Sequence, residues 1–219
     1  MEDSRFRRVE MAAVADPAPL GLAAFALTTF LLSASNAGWT DGGAAWLGFA
    51  FAYGGLAQLL AGMWEFRNRN VFGATAFSTY GAFWIGLGLY AMLVEGGSPN
   101  VANDLGFILL AFAIFNSYML LWSTRVTMAV FLVFLALEAT EIVLAVGFFT
   151  DSQSIIEAGG IVGVVTAAIA WYASAAGVVN GMAAGRHVLP VGGPMWKEHA
   201  EPTLGPEFRA PAYPHQRVS

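Results

Sequence analysis

Six long apolar segments occupy most of this chain of 219 residues, and short connectors separate them. Each segment is close to the roughly 20 residues that an α-helix needs to cross a hydrocarbon core of about 30 Å. The sequence therefore predicts an all-α membrane protein in which six transmembrane helices form one compact bundle. The predicted spans are 19–39, 44–64, 72–94, 105–122, 126–149 and 155–179.

Charged side chains are scarce, at 11% of the chain, whereas soluble domains carry about 25%. This excludes an ordinary soluble domain, and the basic residues do not form a nucleic-acid surface. Because the chain has no cysteine, it has no disulfide, thiolate nucleophile or cysteine–metal site. We expect an integral multi-pass protein of the plasma or inner membrane, with the lipid bilayer as its surroundings.

The basic residues indicate the orientation. If the N-terminus is cytoplasmic, all ten Lys and Arg residues fall on the cytoplasmic side, while the opposite loops carry only acids. The positive-inside rule then predicts that both termini are cytoplasmic. The ten residues are Arg5, Arg7, Arg8, Arg67, Arg69, Arg125, Arg186, Lys197, Arg209 and Arg217.

Three regions follow from this pattern. Residues 1–15 form a polar N-terminal segment, and the stretch behind it is interpreted as a retained first span because it is too long for a signal peptide. Residues 16–189 form the transmembrane transport domain. Residues 190–219 form a cytoplasmic tail whose prolines prevent a long helix. We expect this tail to be mobile; the alternative is an arm that packs on a neighbouring subunit.

The run Asp16–Leu22 (DPAPLGL) predicts the start of the first span. An Asp can accept hydrogen bonds from the free amides of the first turn, and proline lacks the amide that would go unpaired. The positive end of the helix dipole and its exposed amides favour a small anion at this place.

Polar side chains in the spans are candidates for lining a pathway. Thr29, Ser33 and Asn36 lie on one face of the first helix. Uncharged hydroxyls suit a weak, reversible hold on a small polar solute. The alternative is that such hydroxyls bond their own backbone or join helices. The candidates for the substrate pathway are Leu20, Gly21, Thr28, Thr29, Ser33, Asn36, Gln58, Thr75 and Thr79.

Three glutamates are candidates for proton coupling. Glu138 and Glu141 lie three residues apart, on one face of the fifth span, where a charged residue costs at least about 2.5–3.5 kcal/mol. They predict a proton-binding or ion-path site, or else a pair of protonated carboxyls that bond between helices or subunits. Glu65, at the end of the second span, is the third candidate, with an interfacial acid beside Arg67 and Arg69 as the alternative.

Enzyme chemistry has no support in the sequence. The chain has no H-E-x-x-H, G-x-S-x-G or P-loop motif. Its single lysine, Lys197, lies outside the spans, which excludes a retinal Schiff base within them. We therefore expect no enzymatic activity, no cofactor and no metal site.

Two motifs carry a family resemblance. The run at Asp16–Leu22 resembles the N-P-A-P-L-G-L signature of the acetate uptake transporter family, and residues 72–84 (FGATAFSTYGAFW) resemble that family's second motif. Shorter matches lie at 53–58, 62–66 and 185–190, so the resemblance covers about residues 16–192. It implies passage of acetate, and often succinate, by proton-coupled or channel-like transport through each protomer of a hexamer.

The resemblance also implies a narrow hydrophobic constriction formed by Phe25, Tyr80 and Leu137. The residues offer an independent check, since these three lie 9, 9 and 11 residues from the predicted cytoplasmic ends of their spans. At a rise of 1.5 Å per residue, their depth is about 14–17 Å, near the middle of the membrane. Apolar groups at one depth can close a pore by excluding water.

Three residues depart from the family pattern. Asp16 stands where the family has Asn, and an ionised Asp would repel an entering carboxylate; Glu138 and Glu141 are not expected in the fifth span. The sequence thus predicts a transporter of acetate and related small carboxylates. The alternatives are a passive channel for acetate, bicarbonate or ammonia, and a non-transporting scaffold or sensor that works through its tail.

Overall fold

The computed structural model describes residues 14–40, 44–183 and 186–196, and all regular structure among them is helical. Six helices are long and apolar enough to cross a membrane. This confirms the predicted all-α fold with six spans. The helices are α1 (Ala18–Asn36), α2 (Leu47–Arg67), α3 (Val71–Leu93), α4 (Val101–Ser123), α5 (Met128–Phe149) and α6 (Gln153–Met182).

Local sequence explains where several helices begin. Asn70 caps α3, because its Oδ1 accepts a hydrogen bond of 3.1 Å from the Gly73 amide, as its position predicted. Thr127 caps α5 in the same way through the Val130 amide. Asp16 lies just ahead of α1 and accepts from the Ala18 amide at 2.9 Å. The acid at this helix start therefore binds one of the free amides itself.

α2 is not a uniform helix. It widens into a π-helical turn over Ala52–Ala57, between α-helical segments at Leu47–Phe51 and Gln58–Arg67. Gly54 and Gly55 lie in this turn. A Cβ added at Gly54 would come within 2.5 Å of the Thr28 hydroxyl oxygen, so α1 and α2 touch where neither has a bulky side chain.

Helix packing leaves one gap in the bundle. α1 packs along α6, α6 along α5, and α5 along α4, while α2 and α3 form a pair that contacts α1. α3 and α4 touch little, and an open cleft lined by Ser78, Thr79 and Phe112 lies between them. We call the two faces of the bundle the basic side, with connectors 68–70 and 124–127, and the acidic side, with connectors 94–100 and 150–152.

Residues 186–196 lie against the basic side of the bundle, and we call them the returning segment. The Asn180 side chain bonds the backbone of Val188 and Leu189, and the Val191 carbonyl accepts from the Ala129 amide at 2.9 Å. The Met195 amide donates to Thr124. Residues 190–196 are thus held by the same chain, whereas the sequence suggested a mobile tail from Pro190. The rest of that tail, 197–219, lies outside the described residues.

Small residues of α6 allow its close contact with α1. A Cβ added at Gly160 would lie 2.7 Å from the Ser33 carbonyl oxygen and would also strike the Ala37 amide. These are backbone atoms, so the two helices would have to separate. The predicted role of the α6 glycines in helix packing is therefore confirmed at this position.

We expect Gly160→Ala to lower stability by about 1–3 kcal/mol, because the added methyl overpacks a backbone contact. Gly181→Ala is the matched control on the same helix, since nothing lies within 4 Å of its added Cβ. That variant should be neutral or stabilise by up to about 1 kcal/mol. Thermal unfolding of the purified variants in detergent measures both, and equal effects would contradict this packing.

Candidate functional site

Phe25, Tyr80 and Leu137 come together in the centre of the bundle, in one buried cluster. Their exposed fractions are 5%, 3% and 6%. The Phe25 and Tyr80 rings pack edge to face, with centroids 5.8 Å apart. The three side chains that the sequence placed at one depth are thus neighbours, contributed by α1, α3 and α5.

A small cavity of about 40 Å³, which we call the chamber, lies against this cluster. Phe25, Tyr80 and Leu137 all line it. Three other lining residues each bury a polar atom that has no hydrogen-bond partner among the described residues: Thr29 Oγ1, Trp84 Nε1 and Glu141 Oε2. Buried polar atoms are normally paired, so these three mark a place for a polar guest.

A larger cavity of about 480 Å³, the vestibule, adjoins the chamber on the acidic side of the bundle. Asn36 and Leu144 line both cavities, which makes the two spaces neighbours. Tyr90 and Glu95 also line the vestibule. The vestibule and chamber thus form a stepped recess that runs from the acidic side to the Phe25–Tyr80–Leu137 cluster.

A network of side-chain hydrogen bonds surrounds the Tyr80 hydroxyl. This hydroxyl lies 3.1 Å from Glu141 Oε1 and 3.1 Å from Asn116 Oδ1. Asn116 Nδ2 donates to Glu138 Oε2 at 2.7 Å, and Ser117 Oγ donates to Glu138 Oε1 at 2.7 Å. The two glutamates of α5 are therefore joined to each other through α3 and α4.

Asn116 is the residue of this site that sequence reasoning missed. It is fully buried in α4 and bonds α3 and α5 at once. A signal was present, because it is an amide in the middle of an otherwise apolar span, where polar side chains are costly. Trp84 was likewise seen only as part of a motif, and its unpaired indole nitrogen appears only in the structure.

The candidate pathway residues separate into two groups. Thr29, Ser33 and Asn36 line the chamber, as their shared helix face suggested. Thr28 instead donates to the Ala24 carbonyl of its own helix at 3.1 Å. Thr79 lines the cleft between α3 and α4 rather than the chamber.

The other candidates also lie apart from the chamber lining. Gly21 lies against the Phe77 ring, and Leu20 is half exposed. Gln58 is buried in α2 with its Oε1 unpaired among the described residues. Thr75 is partly buried on α3 and does not line the chamber.

Glu65 is far from the α5 glutamates. It is fully buried at the end of α2, beside Asn70 and the first turn of α3, on the basic side. It is therefore not an exposed interfacial acid. Both of its carboxyl oxygens lack a hydrogen-bond partner among the described residues.

Residues 3–186 match the model of the GPR1/FUN34/yaaH family. The chain belongs to this family. Acetate permease A of Emericella nidulans is 41% identical over 194 residues, which cover 80% of this chain and 65% of that relative. Succinate-acetate/proton symporter SatP of Escherichia coli K12 is 35% identical over 182 residues, or 82% of this chain and 96% of the relative.

A third member of the GPR1/FUN34/yaaH family, ammonia transport outward protein 2 of Saccharomyces cerevisiae, is 40% identical over 76% of this chain and 62% of that protein. The chain thus spans a little under two thirds of the length of these fungal relatives. A solved structure of the bacterial acetate channel SatP superposes with a TM-score of 0.78, at 35% identity over 82% of this chain and all of that chain. These matches confirm the resemblance, the fold and the integral membrane character, and place the chain in a family of transporters rather than enzymes.

We expect the vestibule to admit water-soluble thiol reagents as far as Asn36. The chain has no cysteine of its own, so single replacements report directly. Asn36→Cys should react with an impermeant reagent added on the acidic side about tenfold faster than Ala24→Cys, because a wet site favours the reactive thiolate and Ala24 is fully buried on the same helix. Equal rates, or reaction of Asn36→Cys only from the basic side, would contradict this.

Proposed function

We propose that this protein carries acetate and related small monocarboxylates across a membrane, together with a proton, along a pathway inside each protomer. The observation that carries this proposal is the chamber: three buried polar atoms without partners face a cavity closed by Phe25, Tyr80 and Leu137. The relatives named as an acetate permease, an acetate channel and a succinate-acetate/proton symporter support the same substrate.

The polar atoms of the chamber match the needs of a carboxyl group. Thr29 and Trp84 supply an O–H and an N–H donor, and the methyl group of acetate would rest on the apolar side chains of the cluster. A water-sized group needs about 10–15 Å³ of such space, so a cavity of about 40 Å³ suits acetate and leaves no room for a long dicarboxylate. We therefore propose acetate as the first substrate and succinate as a weaker one.

The proton follows from Glu141. Two like charges 4 Å apart repel by about 4 kcal/mol at an effective dielectric constant of 20. An acetate anion cannot share the chamber with an ionised Glu141 at low cost, but the pair can share one proton through the free Glu141 Oε2. Because Glu65 lies at the other end of the bundle, we assign the proton step to Glu141.

The orientation and assembly belong to this proposal. All ten basic residues of the chain lie on the side of the termini, which supports cytoplasmic termini and an external vestibule. The open cleft between α3 and α4, with the polar Ser78 and Thr79 on its wall, supports contact with a second copy, as in the proposed homo-hexamer. Native mass spectrometry of the purified protein measures the subunit number.

We expect Phe25→Ala to speed acetate flux several-fold, because loss of the ring widens the apolar closure and lets water enter. Phe30→Ala is the matched control, since Phe30 lies on the same helix but packs on Trp171 and lines none of the cavities described above. Labelled-acetate uptake into proteoliposomes compares the two. If Phe25→Ala, Tyr80→Ala and Leu137→Ala all leave the flux unchanged, the three residues do not form the constriction.

We expect an imposed pH gradient to accelerate acetate uptake beyond its effect on acetate speciation, since a proton travels with the anion. Glu141→Gln should abolish this acceleration, whereas Glu157→Gln, near the acidic-side end of α6, should retain it. Uptake is measured at a fixed concentration of undissociated acid. If the gradient has no such effect in the unmodified protein, a passive channel replaces the symporter.

Competition by bicarbonate and ammonia identifies a channel for another solute. A protein without acetate flux whose cellular effect depends on residues 193–219 would instead be a scaffold or sensor.

A further inference from the structure

The Tyr80 hydroxyl has more partners than it has protons. It can donate one hydrogen bond, yet two oxygens, Asn116 Oδ1 and Glu141 Oε1, each lie 3.1 Å away. An amide oxygen never donates. Both contacts can therefore be hydrogen bonds at once only if Glu141 supplies a proton of its own.

The orientation of Asn116 is fixed by its other contacts. Its Nδ2 lies 2.9 Å from the Phe134 carbonyl oxygen and 2.7 Å from Glu138 Oε2. A carbonyl can only accept, so the amide nitrogen must face α5 and the amide oxygen must face Tyr80. Asn116 is fully buried, so no solvent can replace a lost donor to its oxygen.

Two hydrogen-bond arrangements follow. When Glu141 is protonated, it donates to the Tyr80 oxygen, and Tyr80 donates to Asn116, so every contact is satisfied. When Glu141 is ionised, Tyr80 must turn its proton to the carboxylate, and the Asn116 oxygen is left without a donor. A buried polar group left without its partner costs about 1–3 kcal/mol.

We propose that Asn116 is a positioning residue that links the hydroxyl of the constriction tyrosine to the proton on Glu141. Asn116 favours the protonated form of Glu141, while Tyr80 favours the ionised form by offering it a donor. This inference deepens the proposed proton-coupled transport and rests on it for its meaning in function. The hydrogen-bond arrangement itself can be tested without transport.

The titratable groups around the hydroxyl are few. Glu141 and Glu138 face it from α5, and Tyr118 lies nearby on α4. α1, which supplies the opposing Phe25 ring, has no titratable side chain. Glu138 is the group whose titration could be mistaken for that of Glu141, because Asn116 and Ser117 both donate to it.

The test titrates the infrared C=O band of the protonated carboxyl in purified protein, with Glu141→Gln to identify the band. Asn116→Leu removes the oxygen that is stranded when Glu141 ionises, so the midpoint should move to lower pH by about one unit. Tyr80→Phe removes the donor to the carboxylate, so the midpoint should move to higher pH by about one unit. The opposite signs separate positioning from a general loss of structure.

Ser117→Ala is the matched control. It removes a donor to Glu138 without touching the Tyr80 contacts, so the Glu141 midpoint should stay in place. Shifts of the same sign in Asn116→Leu and Tyr80→Phe would overturn the proposal, as would no shift, or a Ser117→Ala shift equal to that of Asn116→Leu. If Asn116→Leu does not fold, the sign of the Tyr80→Phe shift still decides, and a shift to lower pH overturns the proposal.

The same variants in acetate flux separate the two levels of the argument. If transport is proton-coupled, the pH profile of uptake should move with the infrared midpoint in each variant. If the infrared shifts occur but the protein carries no acetate, the proposed function fails and the role of Asn116 stands. If acetate flux is proton-coupled but the infrared midpoints stay fixed, the role of Asn116 fails and the proposed function stands.

Discussion

Polar groups in the middle of a lipid-spanning bundle have no bulk water to bond, so each must find its partners inside the protein. Asn116 meets this requirement for three helices, since its one amide joins Tyr80, Glu138 and the Phe134 carbonyl. The same bonds hold the Tyr80 ring in place against Phe25. The apolar closure and the polar network are therefore one mechanical unit, and neither can move alone.

The parts of the fold that follow from the bilayer itself could be predicted from the sequence. The length of each span is set by membrane thickness, and caps such as Asn70 follow from a donor that needs an acceptor at a helix start. The common depth of Phe25, Tyr80 and Leu137 followed from counting along the spans, because the rise per residue is constant. Their lateral contact did not follow from counting alone.

Rotation of the helices is what the sequence could not supply. A helix in lipid is apolar on its outer face as well as its inner face, so the usual periodic contrast between the two is lost. Thr79 and Thr29 therefore looked alike, although one lines an open cleft and the other the chamber. Asn116 escaped notice for the same reason, because its importance lies in which helices it touches.

The returning segment gives the C-terminal part of the described chain an unexpected reach. Its Val191 carbonyl holds the Ala129 amide, and Met195 is bonded to Thr124 just ahead of α5. α5 carries Leu137 and both glutamates of the network. A load, a bound partner or a fused tag acting on this segment therefore pulls directly on the helix at the heart of the pathway. The tail is a handle on the gate, attached at its base.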